Sequence, residues 1–279
     1  MITDWLSHTE KSPSPYGLFR VIDVVEKLSA DQKVCEYMAE EILSAYRNFE
    51  ELKFRFESTD AATLEAYLIS NVFPADHYTL VRNVRQGDFA EVLSSLIVQY
   101  FQGLVTPLHK MRYKFNKDRS VFCTDMMAHN DGAVITDLYY YEIKSRLDIR
   151  KETEKVSGNT DYITVLAHNS LLKDELTPNE AIADFLSSRY FEQGEYELCA
   201  KYNDIVLNAN KYNRKFELFF IIEKEKFKDD ILTALQNFPA TLAPLSVTVV
   251  LIENLKKLIE QTYKLALSVA TSKILATKS

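Results

Sequence analysis

Two short, near-continuous apolar runs, Phe216–Ile222 and Leu245–Ile252, constrain the fold more than any other feature of the chain. Each has the length of a buried strand and falls far short of a membrane span. A helical pattern from Phe227 to Gln236 lies between them, and another from about Glu253 to Thr271 follows. Buried strands alternating with helices predict a mixed α/β layer fold. The 279 residues suffice for one large domain or two small ones, and 6 Gly and 7 Pro leave little material for flexible linkers. The expectation is one compact domain over residues 1–279. Residues 1–75 form an N-terminal elaboration, 80–150 carry the site motifs, and 150–279 supply helices and further core strands.

Earlier segments read as follows. Residues 18–25 predict a strand. Ser29, with Gln32 three residues on, predicts a capping box that opens a helix to about Asn48, with Val34, Met38, Ile42 and Ala45 on one face. Residues 52–57 alternate as a strand, and a helix from about Asp60 to Asn71 is stopped by Pro74. Another helix opens near Asp88 and carries Phe89, Val92, Leu93, Leu96, Ile97 and Tyr100. Strands are expected at about 108–115, 120–128 and 137–146, then a helix from Thr160 to Leu172. Thr177-Pro178-Asn179-Glu180 predicts a helix start, with N-cap, Pro at N1 and Glu at N3, running to Glu192. A further helix spans about 195–209.

Charge narrows the function. The net charge of −7 disfavours a chain that grips nucleic acid unaided, because nonspecific affinity comes from neutralising phosphates. The stretch His109–Arg119 runs against that trend, with five Lys or Arg against one Asp. It is either a solvated strand edge or the approach to a site. The N-terminus shows no secretory pattern, and the three cysteines (Cys35, Cys123, Cys199) lack metal spacing. A reduced cytoplasmic protein is expected. No Walker loop, nucleophile elbow or dinucleotide fingerprint is present, so an ATPase activity would have to come from another chain.

The chemistry concentrates in Ser120–Arg146. In strand 137–146 Tyr140, Glu142 and Lys144 share one face. The turn signal Asn130-Asp131-Gly132 lets a hairpin bring Asp125 beside Glu142. Magnesium takes oxygen ligands and keeps several waters, so Asp125 and Glu142, helped by the Ile143 carbonyl, would suffice to hold it. Lys144 would then orient the attacking water or stabilise negative charge on a phosphate. The triplet alone says little. Asp31-Gln32-Lys33 and Glu51-Leu52-Lys53 share it, and any solvent-facing strand can produce it. Only the third has an acid one hairpin upstream and an apolar helix before that. Glu91 admits two readings: a further metal ligand, or an acid complementing a helix N-terminus. His109, His129 and His168 fall on different elements and read as structural or surface residues, and Cys123 as a small buried one.

The order helix, strand, strand with Asp125, strand with Glu142-x-Lys144 resembles the PD-(D/E)xK nuclease superfamily. Arg85–Glu91, Pro107–Lys114, Thr124-Asp125 and Tyr141–Lys144 resemble more narrowly the HamA family of nuclease subunits in the bacterial Hachiman anti-phage defence system. The resemblance covers about residues 80–150. It implies a restriction-endonuclease-like core, with a mixed sheet flanked by helices. It also implies a Mg- or Mn-dependent DNase held by a superfamily-two helicase (HamB-like) and released on infection or DNA damage. Asp125 and Glu142 would be the metal ligands, and Lys144 and Glu91 further catalytic residues. Where superfamily members often carry Gly two residues before the Asp, this chain has Cys123. The alternatives are a non-catalytic adaptor with a nuclease-like fold that regulates the helicase, and a restriction-type nuclease that reads sequence itself.

Overall fold

The two apolar runs become neighbouring central strands of a seven-stranded sheet in a computed structural model, which describes residues 1–76, 79–119, 124–153, 158–176, 180–236 and 242–275. The strands are β1 (Leu6–Lys11), β2 (Arg20–Glu26), β3 (Leu104–Val105), β4 (Met126–Asn130), β5 (Asp137–Arg146), β6 (Glu152–Thr153), β7 (Thr160–Asp161), β8 (Asn213–Glu223) and β9 (Leu245–Ile252). β6 and β7 pair separately as a ribbon. The large sheet has the order β1-β2-β9-β8-β5-β4-β3, parallel from β2 to β5 and antiparallel at both margins. Parallel strands need cover on both faces, and every residue from Phe216 to Ile222 is buried.

The cover is helical. The helices are α1 (Ile2–Trp5), α2 (Gln32–Tyr46), α3 (Phe49–Phe56), α4 (Ala61–Tyr67), α5 (Thr79–Gln102), α6 (Ile163–Leu176), α7 (Ala181–Glu192), α8 (Tyr196–Leu207), α9 (Asp230–Thr233) and α10 (Leu255–Leu275). Side chains from α2 to α5 and α10 pack with Tyr141, Ile143, Phe219, Ile221 and Val250 on one face. Those of α6 to α9 pack with Leu138, Tyr140, Leu218, Phe220 and Val249 on the other. This is the mixed sheet flanked by helices that the sequence predicts. No helix among the described residues is long and apolar enough to cross a membrane.

Several local expectations are corrected. Residues 49–56 are helical, not a strand. The Asn48 side chain accepts from the Glu50 and Glu51 amides, and Leu52 and Phe56, one turn apart, are buried while Phe54 is exposed. Asp31 caps α2 by accepting from the Val34 amide, whereas the Ser29 hydroxyl donates to Glu253. α5 begins nine residues before Asp88, which puts Glu91 at mid-helix and removes its helix-dipole reading. Lys110–Tyr113 is a single 3-10 turn, not part of a strand. Of the expected helix from Phe227 to Gln236, only α9 (Asp230–Thr233) is regular helix. Cys123, residues 120–122 of the expected strand and the Thr177–Asn179 helix start lie outside the described residues. Glu180, expected at N3, is instead the N-cap position of α7.

A buried carboxylate interrupts the apolar run of β8. The Glu217 carboxylate, on β8, accepts from the Thr248 hydroxyl and from the Gln102 amide at 3.2 Å, and Gln102 in turn accepts from the Tyr141 hydroxyl at 3.0 Å. Burial pushes the Glu217 carboxyl up to about 7 from its ordinary 4.5. A raised acid binds its proton more tightly in the folded chain, so its contribution to stability falls as pH rises from about 4.5 to about 7. That ionisation costs on the order of 3 kcal/mol, against roughly 1 kcal/mol for one imperfect amide hydrogen bond. Glu217→Gln should therefore be more stable than the parent by about 2 kcal/mol at pH 8, with the gap closing toward pH 5. Urea unfolding at the two pH values checks this, and an equal or lower stability at pH 8 contradicts it.

Candidate active site at the sheet edge

The site forms where β4 runs out. β4 and β5 pair from Met126↔Tyr141 to His129↔Leu138, and the Asn130 side chain closes the hairpin by accepting from the Thr136 and Asp137 amides. β5 continues for five residues past Tyr141, beyond the last pairing with β4 among the described residues, and beside that edge stands Asp125. Its Oδ2 accepts from the Ile143 amide at 2.8 Å, as a strand carbonyl would. Glu142 and Lys144 project from the face covered by α6, where the Ser170 hydroxyl bonds Glu142. The other two acid-x-Lys triplets differ in setting: Asp31 is a helix cap, and Glu51 and Lys53 lie on α3.

Five ionisable groups alternate in sign across this edge. Lys144 is ion-paired with Glu142 and lies 3.8 Å from Asp125 Oδ2. Lys110 lies 3.7 Å from Asp125 Oδ1 and 3.9 Å from Glu91, which reaches in from α5 on the opposite face. Asp125, Glu142 and Lys144 thus meet directly, and Glu91 joins them through Lys110. Burial pushes Glu142 up to about 7, with Asp125 acting in the same direction and Lys144 against it. Burial likewise pushes Glu91 up to about 8, opposed by Lys110. Burial alone would lower Lys144, but Asp125 and Glu142 outweigh it and hold the ammonium above its ordinary range.

Among the described residues no group of three or more His, Cys, Asp or Glu side chains that could hold a metal ion is assembled. Ammonium groups stand between the carboxylates instead. The donor set nevertheless suits magnesium in kind. Asp125 and Glu142 already converge on one positive charge at Lys144, and a hard divalent cation asks for the same oxygens.

Sequence reasoning missed Lys110. The side chain is only 5% exposed, and its Nζ donates to the Thr124 carbonyl at 3.0 Å. Lys114, in the same basic stretch, is buried against Asp88. The stretch is therefore no solvated strand edge, at least at these two positions. The available signal was its place directly before the acid-bearing strands. The histidines are held elsewhere: His129 bonds the Asn130 carbonyl and the Tyr202 hydroxyl, His168 is buried, and burial pushes His109 down to about 4.

The helix-flanked mixed sheet, with an acid–x–lysine strand beside a second acid at its edge, defines a mixed α/β protein with a nuclease-like core. The HamA family model matches residues 1–266, and the chain belongs to the HamA family, a component of Hachiman defence. Comparison with curated proteins finds no similar sequence.

Proposed function

We propose that this chain is the DNase effector of a defence complex, hydrolysing DNA phosphodiester bonds when a partner superfamily-two helicase releases or activates it. The convergence of Asp125, Glu142 and Lys144 at the edge of β5 carries this reading. Asp125 and Glu142, with the Ile143 carbonyl, would hold Mg or Mn, which when bound supplies a metal-activated water and offsets phosphate charge. Lys144, 27% exposed, reaches solvent and would orient that water or stabilise the charge that develops on the phosphate. The Ile143 amide fixes Asp125 against the strand, so the acid is positioned before substrate arrives. Glu91 is a further member, on the far side of Asp125. The acidic net charge suits a subunit that receives DNA from its partner, and a cytoplasmic location follows from that role.

A second reading, a non-catalytic adaptor that regulates the helicase, draws support from the lysines that already neutralise the carboxylates. Incubating plasmid and linear DNA with the chain and Mg, alone and with the co-purified helicase, separates the two. The nuclease reading expects Mg-dependent cutting in at least one mixture. A stable helicase complex with no cutting in any mixture would establish the adaptor.

A further inference from the structure

We infer that Lys110 is a built-in second cation of this site, which makes the centre a one-metal site and Glu91 the counter-ion of Lys110 instead of a metal ligand. The inference rests on the metal-centre reading above and assigns each carboxylate its partner. Lys110 rises from its 3-10 turn into the interior between α5 and the start of β4. There its Nζ donates to the Thr124 carbonyl at 3.0 Å and stands 3.7 Å from Asp125 Oδ1 and 3.9 Å from Glu91 Oε1. Two carboxylates and a peptide carbonyl around one positive charge form an oxygen shell of the kind a hard cation takes.

The two oxygens of Asp125 are divided. Oδ1 faces Lys110, while Oδ2 faces the Ile143 amide and Lys144. The Glu142 side can therefore exchange its cation: Lys144 is 27% exposed and can swing away to leave Asp125 and Glu142 to a metal. Lys110, 5% exposed and fastened to a backbone carbonyl, cannot readily do the same. A divalent ion beside Glu91 would meet that buried ammonium at close range, where like charges repel strongly. Burying a lysine is costly unless its charge is paired, and among the described residues Glu91 and Asp125 lie within ion-pair distance of it. Lys110 is thus a positioning residue, which holds a positive charge against Asp125.

Manganese titration of the full-length chain, followed by calorimetry and by the resonance of unbound Mn²⁺, tests this. The unaltered chain should bind one Mn²⁺. Lys110→Met, checked for folding by circular dichroism, should bind two, and adding Glu91→Gln should return the count to one. Two ions on the unaltered chain, or one on folded Lys110→Met, would overturn the inference and leave the metal-centre reading standing. No ion on the unaltered chain would overturn both. If Lys110→Met does not fold, anomalous diffraction from Mn-soaked crystals of the unaltered chain decides. One peak at Asp125 and Glu142 supports the inference, and a peak ligated by Glu91 refutes it.

Discussion

Replacing Lys114 with Met is expected to cost about 3–5 kcal/mol of folding stability near neutral pH, the largest stability effect anticipated for an ionic side chain here. Lys114 and Asp88 are each about 5% exposed, and the ammonium donates to Asp88 Oδ1 at 2.7 Å. The Tyr46 hydroxyl donates to the other carboxylate oxygen and lies 3.3 Å from the Tyr263 hydroxyl, which bonds the Arg85 carbonyl at 3.2 Å. The pair therefore ties the basic stretch to α2, α5 and α10. Without Lys114 the carboxylate stays buried with the Tyr46 hydroxyl as donor and Lys110 acting only from a distance, and that poorly compensated charge dominates the loss. Burial already raises the Asp88 carboxyl, so the deficit should shrink as pH falls and the group takes up its proton. Asp88→Asn in the same chain should recover most of the loss, because a neutral amide needs no counter-charge. Urea unfolding of the single and double variants measures both effects. A single variant within about 1 kcal/mol of the parent would show that the pair is not desolvated as described.

The second large effect concerns chemistry. On the proposed nuclease reading, Glu142→Ala should lower DNA cleavage by about 10³-fold or more, since losing a metal ligand would forfeit several kcal/mol of transition-state stabilisation. Lys144→Ala should lower it by about 10²–10³-fold, the usual cost of removing one donor aimed at developing charge. Neither change should unfold the chain. Glu142 is an acid already disfavoured by burial, and Asp125 keeps its bond to the Ile143 amide in both variants. Cleavage rates alongside circular dichroism separate the cases. Full activity in Glu142→Ala, or loss of folding in both variants, would remove the assignment.

The parts that were legible in the sequence are those set by local pattern. β9 falls at the expected residues and β8 contains its apolar run, because burial on two faces leaves a short apolar signature, while β5 falls at its expected residues through its two-residue alternation. Residues 52–57 misled because Leu52, Phe54 and Phe56 satisfy a two-residue period, while Leu52 and Phe56 equally satisfy a helical turn. The Asn48 cap decided between them. The meeting of Asp125, Glu142 and Lys144 could be anticipated because one hairpin joins them. The pairing of Lys110 with Glu91 could not, since α5 must first pack on the sheet and the 3-10 turn must fold inward. Glu217 was hidden for a similar reason. One acid in an apolar run shows neither that it is buried nor that Thr248 and Gln102 satisfy it.

The most direct test of the central claim is the rate of plasmid cleavage by the helicase-bound chain, metal-stripped and then given Mg²⁺, with the Glu142→Ala complex in parallel. The account predicts cutting that begins on Mg²⁺ addition and is lost in the variant. Cutting that persists without a divalent ion, or that Glu142→Ala retains, would contradict it.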